Sequence, residues 1–444
     1  MTTQTGVREE AALNRYEQEY QSKRVSIEEA LSHIHTGDVI GTSQCANEPT
    51  AIFDQLHTLQ GKIGRVKMYG PMCFFPHPFL QDPTYRDTFD VDVAFLTGDT
   101  RRSREAGALQ YYPTDLHSGP SRWINAWGCN VFITAATPMD RHGYMKIPLC
   151  LIHEREFLEA ADLVIVQVNP NLPSVWGDTE LHISDVDYLV EAESPLPYLP
   201  ENKPTELDQI IGGYVAEQIH DGDTIQLGIG GIPDAAAQAL MDKHDLGIHS
   251  EMLTNSMADL VEAGVITGKK KSLHRGKIVG TFAYGTQRLY DLLDNNPGVE
   301  LLRGSYVNDP WVVAQNDNFV SINACMSVDL TGQVCSESIG SRQYSGTGGQ
   351  ADMAVGASHA KNGRNIIVVP ATKKGRTISS ITPTLSPGSV VSLSRNQVDC
   401  IITEYGTAWL KGRNVRQRVE NLIAVAAPEF RGELRREAER LRLW

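Results

Sequence analysis

The chain has 444 residues, 41% of them hydrophobic and 21% charged, a composition that suits a soluble globular protein of two or more domains and excludes a disordered or fibrous one. A formal net charge of −14 sets the average field against nucleic acid and anionic membranes, so an anionic ligand must meet a local basic patch. No apolar run approaches the ~18 residues of a membrane span, and the polar stretch from Met1 to Leu13, with Glu9 and Glu10, is unlike a signal or transit peptide; the cytoplasm is the expected location.

In chain order, a helix is expected over Ser26–His35, then a glycine–aspartate turn leading into a strand at Gly37-Asp38-Val39-Ile40, with Pro49 and Ala51 beyond it. A turn follows at Asp140 and Gly143, then a β-branched strand over Asp162–Val168 and a further apolar run, Val186-Asp187-Tyr188-Leu189-Val190. The stretch 195–204, with prolines at 195, 197, 200 and 204, reads as an extended linker. After it the same signals return in the same order: Gly222-Asp223-Thr224-Ile225 with Pro233 and Ala235, then Asp329 and Gly332, Ile366-Ile367-Val368-Val369, and Val398-Asp399-Cys400-Ile401-Ile402. Helices are expected over Pro233–Lys243 and Asn414–Ala427, and a strand over Asn365–Val369. Recurrence in order points to a duplicated domain. Continuous apolar strands alternating with helices indicate parallel sheets covered on both faces. The expected architecture is therefore two related open α/β domains, residues 1–194 and 205–444 around a linker at 195–204, with the active site in the cleft between them.

The seven cysteines (Cys45, Cys73, Cys129, Cys150, Cys325, Cys335 and Cys400) are scattered and never form a Cys-x-x-Cys pair, so neither a disulfide frame nor a zinc cluster is expected. The histidines show no metal-ligand spacing, and no metal or redox cofactor is implied.

Thr224 to Leu227 runs into Gly228-Ile229-Gly230-Gly231-Ile232-Pro233. A strand, a glycine turn and a proline in the first turn of an Ala-rich helix present backbone N–H groups to an anion or oxyanion. A P-loop would need Gly-Lys-Ser/Thr after the glycines, and a dinucleotide fingerprint would need glycine where Pro233 stands. Structural glycines at a tight turn remain an equal reading. A second cluster, Ser345-Gly346-Thr347-Gly348-Gly349-Gln350-Ala351-Asp352, precedes the cations Lys373, Lys374 and Arg376, which could seat a phosphate-bearing ligand. The basic run from Lys269-Lys270-Lys271 to Arg275 reads instead as an exposed hairpin. Among carboxylates able to act as nucleophile, Glu251, Glu337 and Glu404 compete.

Gly228-Ile-Gly-Gly-Ile-Pro-Asp, Gly247-Ile-His-Ser-Glu251-Met252, Tyr306-Val-Asn308-Asp-Pro310, Ser321-Ile-Asn323 and Gly346-Thr-Gly-Gly-Gln, taken together, resemble the acetyl-CoA hydrolase/transferase family. Within it the chain is most similar to 4-hydroxybutyrate and butyrate CoA-transferases, over essentially its whole length. The resemblance implies a pair of NagB/RpiA-like α/β domains and a class I CoA-transferase with coenzyme A or acyl-CoA and a small carboxylic acid as substrates. It places the nucleophile at Glu251, the oxyanion-stabilising amide at Asn308, the CoA-contacting loop at Gly228, Ile229, Gly230, Gly231 and Ile232, a second loop at Gly348 and Gly349, and a CoA-binding lysine at Lys374. A homo-oligomer, dimer or larger, is expected. Neither nucleic acid nor membrane is an expected partner.

The aromatic, turn-rich stretches Met72 to Pro78 and Tyr111 to Gly119 resemble cleft-lining loops, and the first departs from the family pattern. A dicarboxylate such as succinate or itaconate, its second carboxylate paired by His77 or Arg122, is therefore one expectation for the substrate. Two rival functions share the scaffold: a thioester hydrolase, since water competes with the acid for the same intermediate, and a non-catalytic ligand sensor.

Overall fold

The computed structural model describes residues 15–200 and 203–443; the polar Met1–Leu13 stretch lies outside the described residues. The chain divides into two compact units. One comprises Met1–Thr114, Ser118–Leu199 and Thr281–Ser305, and the other Asp115–His117, Pro200–Gly280 and Tyr306–Trp444. This division differs from the contiguous one expected around residues 195–204: the chain crosses from one unit to the other near that stretch, but Thr281–Ser305 returns to the first unit and Asp115–His117 belongs to the second.

In the first unit, β1 (Val39–Thr42), β2 (Val66–Tyr69), β3 (Phe89–Val93), β4 (Leu109–Tyr111), β5 (Val131–Ala136), β6 (Leu163–Val168) and β7 (Tyr188–Glu191) form a parallel sheet in the order β4-β3-β2-β1-β5-β6-β7. Ile40, Met68, Val91, Ile133 and Ile165 from this sheet pack with Ile52, Phe53 and Leu56 from the helix Thr50–Leu56. Each such buried side chain contributes about 1.5–3 kcal/mol relative to exposure.

The second unit carries β8 (Thr224–Leu227), β9 (Gly247–Leu253), β10 (Phe319–Ala324), β11 (Arg364–Val368) and β12 (Cys400–Thr403), parallel and in the order β9-β8-β10-β11-β12, with β13 (Gly406–Trp409) antiparallel at the edge. Helix Val415–Val425, capped by Asn414, closes this core with Val419, Leu422 and Ile423 against Ile367 and Ile401. The order reverses at β1 and at β8, the place where open α/β sheets bind ligands beyond the carboxyl ends of their strands.

The repeated sequence signals occupy equivalent structural positions. Gly37 and Gly222 both have positive φ, +93° and +84°. The next residues, Asp38 and Asp223, accept the backbone N–H of His35 and His220, each at 2.7 Å. Asp140 accepts from His142 and Tyr144 while Asp329 accepts from Thr331 and Gln333. Asp187 accepts the Val164 N–H at the start of β6, and Asp399 the Asn365 N–H at the start of β11. In each case a short carboxylate satisfies backbone donors, within a tight turn for the first two pairs and at the start of a neighbouring strand for the third.

All seven cysteines are free thiols, six of them buried. The basic run at 269–275 corrects the exposed-hairpin expectation in part. Lys269 and Lys270 are exposed, but Lys271 is buried and donates to the carbonyls of Ile248 and Lys277 at 2.7 and 2.8 Å. The two backbone carbonyls that it meets offset the cost of burying an ammonium there.

Candidate active site

Strand β8 ends at Leu227, and helix Gly231–Ala239 starts at once, with Gly230 as its N-cap at φ +117° and Pro233 in its first turn. No side chain caps the helix, so its first N–H groups are left to other partners. Added Cβ atoms at Gly228 and Gly230 would meet open space, whereas one at Gly231 would strike the Asp208 carboxylate. Gly231 thus lies close against the Asp208 side chain, while Gly228 and Gly230 leave room beside the chain. Ile229 between them is half exposed and Ile232 is buried.

The parallel register pairs Thr224 with Gly247 and Ile225 with Ile248, and the Ser250 hydroxyl reaches the Leu227 carbonyl at 3.5 Å. Continuing that register brings Glu251 alongside Gly228. The strand side chains before Glu251 are structural. His249 is fully buried and its Nε2–H donates to the Val307 carbonyl at 2.8 Å, which fixes the residue before Asn308. Burial pulls the His249 imidazole down to about 3, so it stays neutral.

Asn308 is fully buried and its Nδ2 approaches Glu251 Oε2 at 3.4 Å. Its Oδ1 is buried with no hydrogen-bond partner. Gly349, the N-cap of helix Gln350–His359, gives Glu251 a backbone hydrogen bond. A Cβ at Gly349 would overlap both the Glu251 carboxylate and the Asn308 amide, so only glycine fits between them. Gly348 precedes it with φ +54°.

Glu251 is partly buried. Burial first, and then the neighbouring charge of Asp352, push its carboxyl up to about 7, against the opposing hydrogen bonds from Asn308 and Gly349. A carboxylate disfavoured in this way gains by acylation, which removes the charge.

Two residues here lie in stretches singled out in the sequence but were given no role there. Asp352 is buried in the first turn of the helix that Gly349 caps. It accepts the His117 Nδ1–H at 2.7 Å and the His117 backbone N–H at 3.1 Å. Hydrogen bonding to Asp352 raises the His117 pKa, and burial raises that of Asp352 against the opposing effect of His117. Asp352 closes the second glycine cluster and His117 lies in the stretch from Tyr111 to Gly119, 235 positions apart in sequence, so nothing in the chain paired them.

The rival carboxylates are engaged elsewhere. Glu337 is buried and accepts from Gln343 Nε2, Thr347 Oγ1 and Ser392 Oγ, so it braces the second glycine loop. Glu404 accepts the Ala371 N–H at 2.8 Å. Ser321 and Asn323 both donate to Gln226 Oε1 at 3.0 Å and tie β10 to β8 beneath the loop. Lys374 is exposed, with φ +47°, on the turn between strands Thr372–Lys373 and Ile378–Ser379. Arg376 on the same turn is bound to Glu429 and Tyr405, so the three-cation cluster is reduced by one.

His77 corrects an expectation. It is 1% exposed, with Nδ1 2.8 Å from Asp54 and Nε2 3.8 Å from Glu48. Enclosed by two carboxylates, it is not free to pair one from a substrate. Arg122 is exposed on the helix Gly119–Trp127.

Residues 9–200 match the acetyl-CoA hydrolase/transferase N-terminal domain and residues 285–438 the C-terminal domain. The chain is 40% identical over 430 residues to succinyl-CoA:cyclohexane-1-carboxylate CoA transferase of Geobacter metallireducens, covering 96% of this chain and 97% of that one. It is also 40% identical over 423 residues to 4-hydroxybutyrate coenzyme A transferase of Clostridium kluyveri, covering 95% and 98%. The crystal structure of RipA from Yersinia pestis superposes with a TM-score of 0.91 at 33% identity, over 97% of this chain and 100% of that one. An acetyl-CoA hydrolase of Neurospora crassa is more distant, 23% identical over 361 residues and 71% of this chain. Duplicated parallel sheets, a glycine loop at the strand-order reversal and a full-length match to CoA-transferases converge: the chain belongs to the acetyl-CoA hydrolase/transferase family.

Proposed function

We propose that this protein transfers CoA between an acyl-CoA and a small carboxylic acid through a glutamyl-CoA thioester on Glu251. The observation that carries this reading is the Glu251 carboxylate, with its pKa pushed up to about 7, set against the Asn308 amide and the backbone of Gly349. A carboxylate is a weak nucleophile, but its attack on a thioester gives a mixed anhydride as activated as the bond it replaces. The expelled CoA thiolate then attacks the anhydride at the Glu251 carbonyl, releasing the first acid and leaving the enzyme-bound thioester. The carboxylate of a second acid reverses the sequence, so the kinetics are ping-pong.

Each step passes through a tetrahedral oxyanion, and a preorganised donor there contributes about 10²–10³ in rate. The Asn308 Nδ2, the Gly349 backbone and the N–H groups at Gly230 and Gly231 are the donors we assign to these steps. The Gly228–Ile232 loop, Gly348 and Lys374 are assigned to CoA, whose remote contacts offset the cost of desolvating Glu251. The acids to test first are 4-hydroxybutyrate, butyrate, acetate and succinate. Free buried thiols fit a reducing cytoplasmic compartment, and sedimentation tests the expected homo-oligomer.

The test is incubation with each candidate acyl-CoA followed by borohydride, which reduces an enzyme thioester. Mass spectrometry then finds the reduced side chain at Glu251, or its absence there overturns the assignment. Thiol release measured with and without added acid separates transfer from hydrolysis. Release that ignores the acid favours a hydrolase.

A further inference from the structure

A cluster in the first unit has no part in the chemistry above. Glu48, Cys73 and His77 are 5%, 6% and 1% exposed, and their ligand atoms lie within 4.8 Å of one another. His77 Nε2 points into this cluster without a hydrogen-bond partner, 3.8 Å from Glu48 Oε2. That separation is too long for a hydrogen bond. It is close to the about 3.4 Å between nitrogen and oxygen ligands on tetrahedral zinc, whose bonds to each are near 2.0–2.1 Å. On its other side the ring is held by Asp54, with His77 Nδ1 at 2.8 Å from Asp54 Oδ1. A carboxylate on the far nitrogen is the arrangement that orients a metal-bound imidazole and keeps its other lone pair outward. Glu48 is itself positioned, since its two oxygens accept the Phe75 and Phe74 N–H groups at 3.1 Å each.

We propose that Glu48, Cys73 and His77 form a structural zinc site that ties the loop from Cys73 to His77 to the start of the helix Thr50–Leu56. Sulfur, imidazole and carboxylate donors together suit zinc rather than magnesium or calcium. Charge also balances: one thiolate and one carboxylate neutralise the dication inside a buried site, and the thiol proton leaves to solvent. Ligands must shed their protons to hold the metal, so affinity falls as pH drops.

The test uses the full-length protein stripped with a chelator, then titrated with Zn²⁺ against a chromophoric competitor. One Zn²⁺ per chain is expected. Cys73→Ser and His77→Ala should each weaken it at least 10-fold, and Cys129→Ser, a change at another buried thiol, should leave it intact. Since variants inside the cluster risk misfolding, Asp54→Asn on the half-exposed second-sphere carboxylate is the safer probe, with about 10–100-fold weaker binding expected. Co²⁺ in place of Zn²⁺ should give a thiolate charge-transfer band that Cys73→Ser abolishes, and Zn²⁺ should raise the wild-type Tm. Failure of the wild-type protein to hold one Zn²⁺, or binding indifferent to both Asp54→Asn and Cys73→Ser, overturns the proposal.

Discussion

The two units repeat one plan and part company at the strand ends. The pairs Val39–Lys67 and Thr224–Gly247 hold the same place in the two sheets. Counting from them, Gly228, Gly230 and Glu251 of the second unit correspond to Ser43, Cys45 and Pro71 of the first. Cys45 keeps the positive φ of Gly230, +56° against +117°, so the turn survives where its glycine has gone. Pro71 supplies no carboxylate, and Ser43 hydrogen-bonds to Thr134 in its own core. A duplicated scaffold can thus preserve backbone geometry in both copies while one alone carries the carboxylate proposed as nucleophile.

That contrast can be broken at several points. Glu251→Ala should lower the transfer rate by on the order of 10⁴-fold or more, because the covalent route is lost. Changes at Cys45 should leave thioester formation in place, and borohydride trapping reads both. Asn308→Ala should cost about 10²–10³ in kcat with little change in KM for the acid, as expected of a donor used in the transition state. Gly349→Ala should be at least as damaging, since its Cβ displaces the carboxylate itself.

The pH profile sharpens the role of Asp352. In the proposed route Glu251 attacks as a carboxylate, so kcat/KM for acyl-CoA should rise with pH through about 7. Asp352→Asn removes a charge that disfavours the Glu251 carboxylate, and should move this limb to lower pH by about 1 unit. A role confined to tethering His117 would lower activity and leave the limb where it was.

Stability offers a separate reading of the same group. A folded pKa raised above the unfolded one means that the native state holds its proton more tightly, so stability falls as pH rises from about 4.5 to about 7. Glu251→Gln should therefore raise stability by about 1–3 kcal/mol at pH 8 and by almost nothing at pH 4, measurable by denaturant unfolding. The smallest effects belong to the paired aspartates. Asp399→Ala, at a buried site, should cost about 1–3 kcal/mol, and Asp187→Ala, at the exposed counterpart, about 1 kcal/mol or less.

Much of this was legible in the chain. The Gly-Asp turns, the β-branched runs and the prolines reported the duplication because each acts locally: a φ above zero, a satisfied N–H, a side chain that fits a pleated sheet. Three helices were placed within a few residues of their observed limits, since Ser26 and Asn414 cap theirs and the helix begun at Gly231 holds Pro233 in its first turn. The buried Lys271, the enclosed His77 and the return of Thr281–Ser305 to the first unit could not be read that way, for each depends on contacts between residues remote in sequence.

The sequence by itself determined the parallel α/β class, the repeat and the glycine loops, because these follow from short-range periodicity and backbone constraints. On chemistry alone Glu337 stood close beside Glu251, with Glu404 third, and the match of His249 to Met252 to a family motif put Glu251 ahead. The tertiary structure gives the physical distinction, by engaging Glu337 with Gln343, Thr347 and Ser392 and Glu404 with a backbone N–H while setting Glu251 against Asn308, Gly349 and the charge of Asp352. A carboxylate's reactivity is a property of its surroundings, and those are assembled only when distant segments meet.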